Sequence, residues 1–440
     1  MGEEIFMALL ERDDIRRLVR LAADCRVNLY LVGGGVRDLL LGRPSQDLDF
    51  AMEGECVELP RRFAAAVGGT FFWLDEDRRH GRVVRGRGEG QANYDFVPLQ
   101  GGTIEEDLAL RDFTINSLAF PLNASGRGLL DPLGGAGDLS ARIIRTCSPS
   151  AFADDPVRLV RAIRFAATLK FEVAAPTWDQ MLTTAPLLEQ VAAERVRDEF
   201  FKILAVPEST SFLRQLAEAG LLHRITGTGS GCDKFVEGFD RVIRLERLVA
   251  GLAARFPVDH EGLTRQLSVG IEDGISSSSL LKLAALVGPV AADGVDVLFE
   301  KLRLGNRSRR MLRLLCQTKL PVGLLIPPER QTLRTMYRFF RDEAPASLEL
   351  VLLSLSYGVI PPDVALRLVE YYYHDYDPEG ADLYLSGTDI MEILDSAPGP
   401  RVGEAAALLR EAESRGAVNS RVEAEDYLRK NLLTKQAPIG

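Results

Sequence analysis

Long apolar runs, paired cysteines, clustered histidines and an excess of basic residues are all missing from this chain, and each absence narrows what it does. No apolar stretch approaches the roughly 18–20 residues that carry a helix across a bilayer, so no membrane partner is expected. The opening residues, MGEEIFMALLERDD, are acidic where an export signal is basic, which makes a cytoplasmic location the expectation. Cys25, Cys56, Cys147, Cys232 and Cys316 form no CxxC and are odd in number, which suits reduced thiols better than a disulfide frame or a zinc site. His80, His223, His260 and His374 are too dispersed for a metal cluster. Net charge is −10, so any affinity for nucleic acid has to come from local basic patches against an acidic background. Two runs qualify: Arg78-Arg79-His80-Gly81-Arg82 with Arg85 and Arg87, and Arg303, Arg307, Arg309, Arg310 and Arg313. A charge run is more often just a solvated face.

What is present organises itself around residues 31–50, LVGGGVRDLLLGRPSQDLDF. An apolar run ends in three glycines, Gly33 to Gly35, and a short helical pattern follows through Val36, Leu39 and Leu40. After a break at Gly42 and Pro44, a second apolar strand carries Asp47 and Asp49, whose i, i+2 spacing puts both carboxylates on one face. The glycines present bare backbone N–H groups at a helix start, a ready anion site. A phosphate cradle beside paired carboxylates that bind Mg²⁺ is what nucleotidyl transfer from a nucleoside triphosphate requires. Either half alone is commonly structural: a glycine turn, or aspartates capping a loop.

Together and in this order the two halves resemble the signature of the class II tRNA nucleotidyltransferase and bacterial poly(A) polymerase family, through Val32-Gly33-Gly34, Val36-Arg37-Asp38, Leu40-Leu41-Gly42, Asp47 and Asp49. Further stretches extend the likeness. Tyr94-Asp95-Phe96 matches the strand that gives the family its third acidic residue, and alternation turns Asp95 away from its apolar flanks. Residues 105–116, EEDLALRDFTIN, match the second motif with Leu110 in place of an arginine; the resemblance gives Arg111, Asp112 and Asn116 a part in holding the nucleotide, as it does Gly33, Gly34 and Arg37. Asp154-Asp155-Pro156-Val157-Arg158, continued by Arg161 and Arg164, matches the element that reads the incoming base in place of a template. Asp155 and Arg158 are its implied readers, and the i, i+3 step suggests one helix face. Glu194 to Leu204 matches a helix in which Glu199 and Arg195 brace that element. Leu280 to Pro289 resembles the opening of an HD phosphohydrolase domain without its His-Asp pair, which implies a helical relic without that activity.

The resemblance implies an α+β protein: a small mixed-sheet, palm-like head over residues 1–130 with helices on one side, then an all-helical neck (131–225), a degenerate HD-like body (226–330) and a tRNA-binding tail (331–440). It implies Mg²⁺ held by Asp47, Asp49 and Asp95, with tRNA and nucleoside triphosphates as partners. Only Phe96 to Gly102 separates Asp95 from the second motif, whereas members that add the terminal A carry a longer flexible loop there. The expectation is therefore addition of CC to the tRNA 3′ end from CTP. Full CCA addition, which also uses ATP, and poly(A) synthesis share the same motifs. An inactive RNA-binding protein on the same fold is the remaining alternative.

Overall fold

In the strand that carries the two aspartates, Leu48, Phe50 and Met52 are buried and alternate with Asp47 and Asp49, so one face of the strand demands cover and the other presents carboxylates. The computed structural model describes residues 2–43, 46–54, 57–123, 128–227, 235–289, 292–317, 324–325, 333–376, 384–414, 417–418 and 421–433. Pro44, Cys56 and residues 228–234, where the sequence suggests a helix break, a helix start and a linker, lie outside the described residues. Strands β1 (Asn28–Val32), β2 (Asp47–Glu53), β3 (Thr70–Asp75), β4 (His80–Arg85), β5 (Ala92–Pro98) and β6 (Ala119–Pro121) form one sheet in the order β3-β4-β5-β2-β1-β6. Within this sheet, among the described residues, β2 and β5 are the one parallel pair.

Helices α1 (Gly2–Leu10), α2 (Asp13–Asp24), α3 (Gly34–Leu40) and α4 (Glu58–Val67) cover the face built from Leu29, Leu31, Leu48, Phe50, Tyr94 and Phe96. The expectation of helices on one side needs correction. Helix α5 (Ile104–Ala109) uses its i, i+4 pair, Ile104 and Leu108, to pack on the opposite face against Tyr30, Val32, Ala51 and Ala119. That second face is the one to which Asp47, Asp49 and Asp95 belong.

Helices α6 (Gly135–Ala141), α7 (Ala151–Asp154), α8 (Arg158–Leu169), α9 (Ala175–Thr184) and α10 (Ala193–Leu204) follow, with the two-residue strands β7 (Ile143–Ile144) and β8 (Glu172–Val173) paired between them. In α10, Val196, Phe200, Ile203 and Leu204 are all buried, the face that their spacing predicts. The chain divides into two compact units, Met1–Ile203 with Gln215–Arg224, and Leu204–Arg214 with Ile225–Gly440.

Beyond α10 come α11 (Thr210–Glu218), α12 (Leu222–Thr226), α13 (Val236–Ala250), α14 (Leu252–Arg255) and α15 (His260–Ser268), then the hairpin β9 (Gly270–Glu272) and β10 (Ile275–Ser276). Helices α16 (Ser277–Val287), α17 (Ala292–Leu302), α18 (Asn306–Gln317), α19 (Leu333–Asp342), α20 (Ser347–Ser356), α21 (Pro362–His374), α22 (Gly387–Leu394), α23 (Pro400–Ser414) and α24 (Arg421–Leu428) complete the described chain. The HD-like run forms α16, started by a Ser276/Ser279 capping box. Gly238 lets α13 cross it closely, since a Cβ there would stand 2.1 Å from the Leu286 carbonyl oxygen. Lys282, on α16, is buried and bonds Glu246 Oε1 at 2.9 Å, so its charge is matched rather than orphaned.

Candidate active site

The parallel register of β2 and β5 sets Asp49 beside Asp95 and Asp47 beside Asn93. Asn93 Nδ2 donates to Asp47 Oδ1 at 2.7 Å. Across the antiparallel β4/β5 pair, Arg82 stands opposite Asp95 and donates from Nε and Nη2 at 2.7 Å each. His80 Nε2 lies 3.7 Å from Asp95 Oδ2. Burial alone would raise the Asp95 carboxyl, but the two bonds from Arg82, with the His80 ring nearby, hold it below the ordinary range. Among the described residues Asp49 has no such hydrogen-bond donor, and burial and then the neighbouring Asp95 charge push it up. A carboxylate in that position favours a bound cation.

Gly33 shapes the space in front of it. Its φ of +69° and ψ of −137° belong to glycine territory, and a Cβ there would stand 3.0 Å from Arg111 Nη1 and 3.4 Å from Asp49 Oδ2. The missing side chain thus leaves a cradle between a guanidinium and a carboxylate. Hard carboxylate oxygens beside such a cradle fit a divalent cation. Among the described residues no three acidic, histidine or cysteine groups are gathered at metal spacing, and both Asp95 carboxylate oxygens accept from Arg82.

A continuous polar chain lies behind the cradle. Arg37 bonds Asp38 at 2.9 Å and Asn116 Oδ1 at 2.8 Å; Asn116 in turn donates to Asp112 at 2.9 Å. Asp112 receives Arg161 at 3.0 and 2.7 Å, Arg161 reaches Glu199 at 3.5 Å, and Arg164 donates to Glu199 at 2.8 Å. Asp112 and Glu199 are both buried. Burial would raise each carboxyl, and the arginines more than offset it, so both sit below the ordinary range.

Two cavities meet at Arg111 and Arg158. One, of about 340 Å³, is lined by Asp49, His80, Gln100 and Asp107 among others; the second, of about 260 Å³, by Asp112, Asp155, Arg161 and Arg195. Arg111 is steadied by Asp107 Oδ2 at 2.9 Å, and Arg158 by the carbonyls of Leu110 at 2.9 Å and Arg111 at 3.4 Å. Asp155 takes both Nη atoms of Arg195, at 3.2 and 2.7 Å. The expected helix face is corrected here. Asp155 ends α7 in extended backbone (φ −151°, ψ 96°), because a residue before proline is disfavoured in the α region, and Pro156 follows it. Only Arg158, Arg161 and Arg164 ride on α8, yet Asp155 and Arg158 still line one cavity.

The sequence-predicted residues therefore fall into two groups. Gly33, Asp49, Arg111, Asp155 and Arg158 stand at the cradle or its cavities, with Asp47 held by Asn93 and Asp95 by Arg82 on the strands beside Asp49, while Arg37, Asn116, Asp112, Arg161 and Arg164 form the polar chain, of which Asp112 and Arg161 also line the second cavity. Gly34 opens α3, where a Cβ would stand 3.5 Å from Arg37 Nη2. Sequence reasoning missed Arg82 and His80 as neighbours of Asp95, and Asp107 as the support of Arg111. The Asp107/Arg111 i, i+4 spacing could have shown the last.

Residues 29–145 match the family model described as the poly A polymerase head domain, and residues 170–226 the one described as the probable RNA and SrmB-binding site of polymerase A. The chain is 43% identical over 411 residues to a CC-adding tRNA nucleotidyltransferase of Geobacter sulfurreducens, covering 93% of each protein. It is 31% identical to an A-adding tRNA nucleotidyltransferase of Deinococcus radiodurans, covering 91% of this chain and 94% of that one. The fold is also that of a CCA-adding enzyme solved with ATP (TM-score 0.72, 21% identity, 95% of this chain and 94% of that one).

Proposed function

This chain belongs to the family of tRNA nucleotidyltransferases and bacterial poly(A) polymerases, and from that membership we propose that it adds two C residues from CTP to the 3′ end of tRNA. The RNA 3′-hydroxyl attacks the α-phosphorus of the bound CTP and pyrophosphate leaves. Asp47, Asp49 and Asp95 would hold Mg²⁺, whose charge stabilises the attacking and leaving oxygens. Gly33 and Gly34 keep space for the triphosphate, while Arg111 and Arg37 supply positive charge along it. Asp155 and Arg158 offer an acceptor and a donor to the edge of the base. Arg161, Arg164 and Asp112 keep that pair in register with Arg111. The free thiols Cys147 and Cys316 suit a reducing, cytoplasmic setting.

The choice of CC rests on residues 99–103. Between the end of β5 and the start of α5, the Gln100 N–H donates to Asp107 Oδ1 at 2.9 Å and the Gly102 N–H to Glu106 Oε2 at 2.5 Å; Thr103 caps α5 by accepting from the Glu106 N–H at 3.3 Å. A segment so short and so tied has little freedom to swing and reshape the base pocket for A. Incubating the enzyme with tRNA lacking its CCA end and one nucleoside triphosphate at a time tests this. CTP alone should extend the RNA by two residues and ATP alone by none. Long A tails, or A added after CC, would overturn the assignment.

A further inference from the structure

Helix α13, VEGFDRVIRLERLVA, carries three acids and three arginines, so its sequence looks electrically balanced. Its contacts are not balanced. Glu237 pairs with Arg241 at 3.3 Å, and Asp240 with Arg214 at 3.8 Å. Glu246 is occupied by Lys282 at 2.9 Å, Ser209 Oγ at 2.8 Å and Thr210 Oγ1 at 2.9 Å. Arg241 also donates to the Ala285 carbonyl at 2.9 Å, at the end of α16. Every acid on the helix is thus engaged elsewhere. Arg244 and Arg247, one turn apart, and Arg255 at the end of α14 have no carboxylate within ion-pair distance among the described residues.

These three exposed arginines line one groove of about 530 Å³ with Leu248, Leu355 and Ile360, and no acidic residue lines it. The groove offers the guanidinium groups few acceptors at the end of α20. The Leu353, Ser354 and Leu355 carbonyls already accept from the N–H groups of Tyr357 (3.0 Å), Val359 (2.9 Å) and Gly358 (3.0 Å). The two basic runs visible in the sequence are neutralised in part, although Arg85, Arg87, Arg307 and Arg310 also lack a carboxylate within ion-pair distance among the described residues. Arg82 is held by Asp95 and Arg78 lies 3.7 Å from Asp75; Arg309 lies 3.7 Å from Glu300 and Arg313 2.9 Å from Asp296.

We propose that the Arg244/Arg247/Arg255 groove binds the sugar–phosphate backbone of the RNA substrate. Guanidinium forks match phosphate oxygens two at a time, and the apolar floor suits ribose edges without reading sequence. In a protein of net charge −10, three cations gathered in one groove whose lining holds no acid supply the local positive charge that a polyanion needs. The inference rests on the tRNA reading above and adds to it the surface that grips the RNA.

The test is the affinity of the full-length protein for tRNA lacking its CCA end, measured by fluorescence anisotropy over a range of KCl concentrations, with melting curves to verify the fold. R244Q/R247Q/R255Q should bind at least about ten-fold more weakly near 0.1 M salt, and the slope of log affinity against log salt should fall by about two to three. R244K/R247K/R255K, which keeps the charge, should retain most of both. A Gln variant that binds like the parent overturns the assignment, as does a Lys variant that fails equally. An equal loss in R309Q/R310Q/R313Q would mark a general charge effect and overturn it too. Absence of any tRNA binding by the parent protein would overturn the functional reading along with it.

Discussion

At the scale of single residues the site turns on Gly33. Its backbone conformation costs an ordinary side chain about 1–3 kcal/mol, and a Cβ would press on Arg111 and Asp49 together. Gly33→Ala is therefore expected to lower the melting temperature and to weaken CTP binding by about ten-fold or more. Calorimetric titration with CTP reads the second effect, and unchanged affinity would remove Gly33 from the cradle. This residue was legible in the sequence only because the paired-aspartate strand follows the glycines; a glycine turn alone is commonly structural. Arg82 was not. Its position against Asp95 depends on the β4/β5 register, which no local pattern encodes. Asp155 was legible as a residue and illegible as geometry, since the step from Asp155 to Arg158 looks helical until the proline between them is given its steric weight.

At the scale of elements, the polar chain from Arg37 to Arg164 joins α3, the 3₁₀ turn at Thr114–Asn116, α8 and α10. The sequence placed Arg37, Arg161, Arg164 and Glu199 on helices; it showed neither the 3₁₀ turn that carries Asn116 nor that Asp112 and Glu199 face the arginines of α8 rather than a ligand. That distinction carries a prediction. If Arg161 only touched nucleotide, its loss would spare stability. Because it neutralises a buried Asp112, Arg161→Ala should cost about 3–5 kcal/mol by leaving a carboxylate uncompensated. Urea unfolding measures this, and a cost near zero would mean that Asp112 finds another partner. The side of the sheet that α5 covers was likewise hidden, since Ile104 and Leu108 reveal a helix stripe but not the face it meets.

At the scale of the whole molecule, buried acids pull the pH profile in opposite directions. Asp112 and Glu199 are held low, so their contribution is present above their unfolded values of 3.8 and 4.5 and is lost as pH falls through the folded ones. Glu349 is the reverse: burial pushes it up, with Oε1 accepting from Ser277 at 2.6 Å and Gln266 at 3.0 Å and Oε2 without a partner. The fold keeps a proton there that the unfolded chain releases above 4.5, so stability declines as pH rises from that value through the folded one. Glu349→Gln should raise the melting temperature at neutral pH and leave it unchanged near pH 4.5; an equal gain at both values would exclude titration as the cause. The polar chain has one more consequence, for how such a protein can be altered. Arg37, the Asp112/Asn116 pair, Arg161 and Glu199 come from four separate stretches of sequence, and each of the four is bonded to another. A segment transplanted from a relative would bring half of an ion pair into a foreign setting. The smallest portable piece of this enzyme is the whole run from α1 to α10, not any one motif.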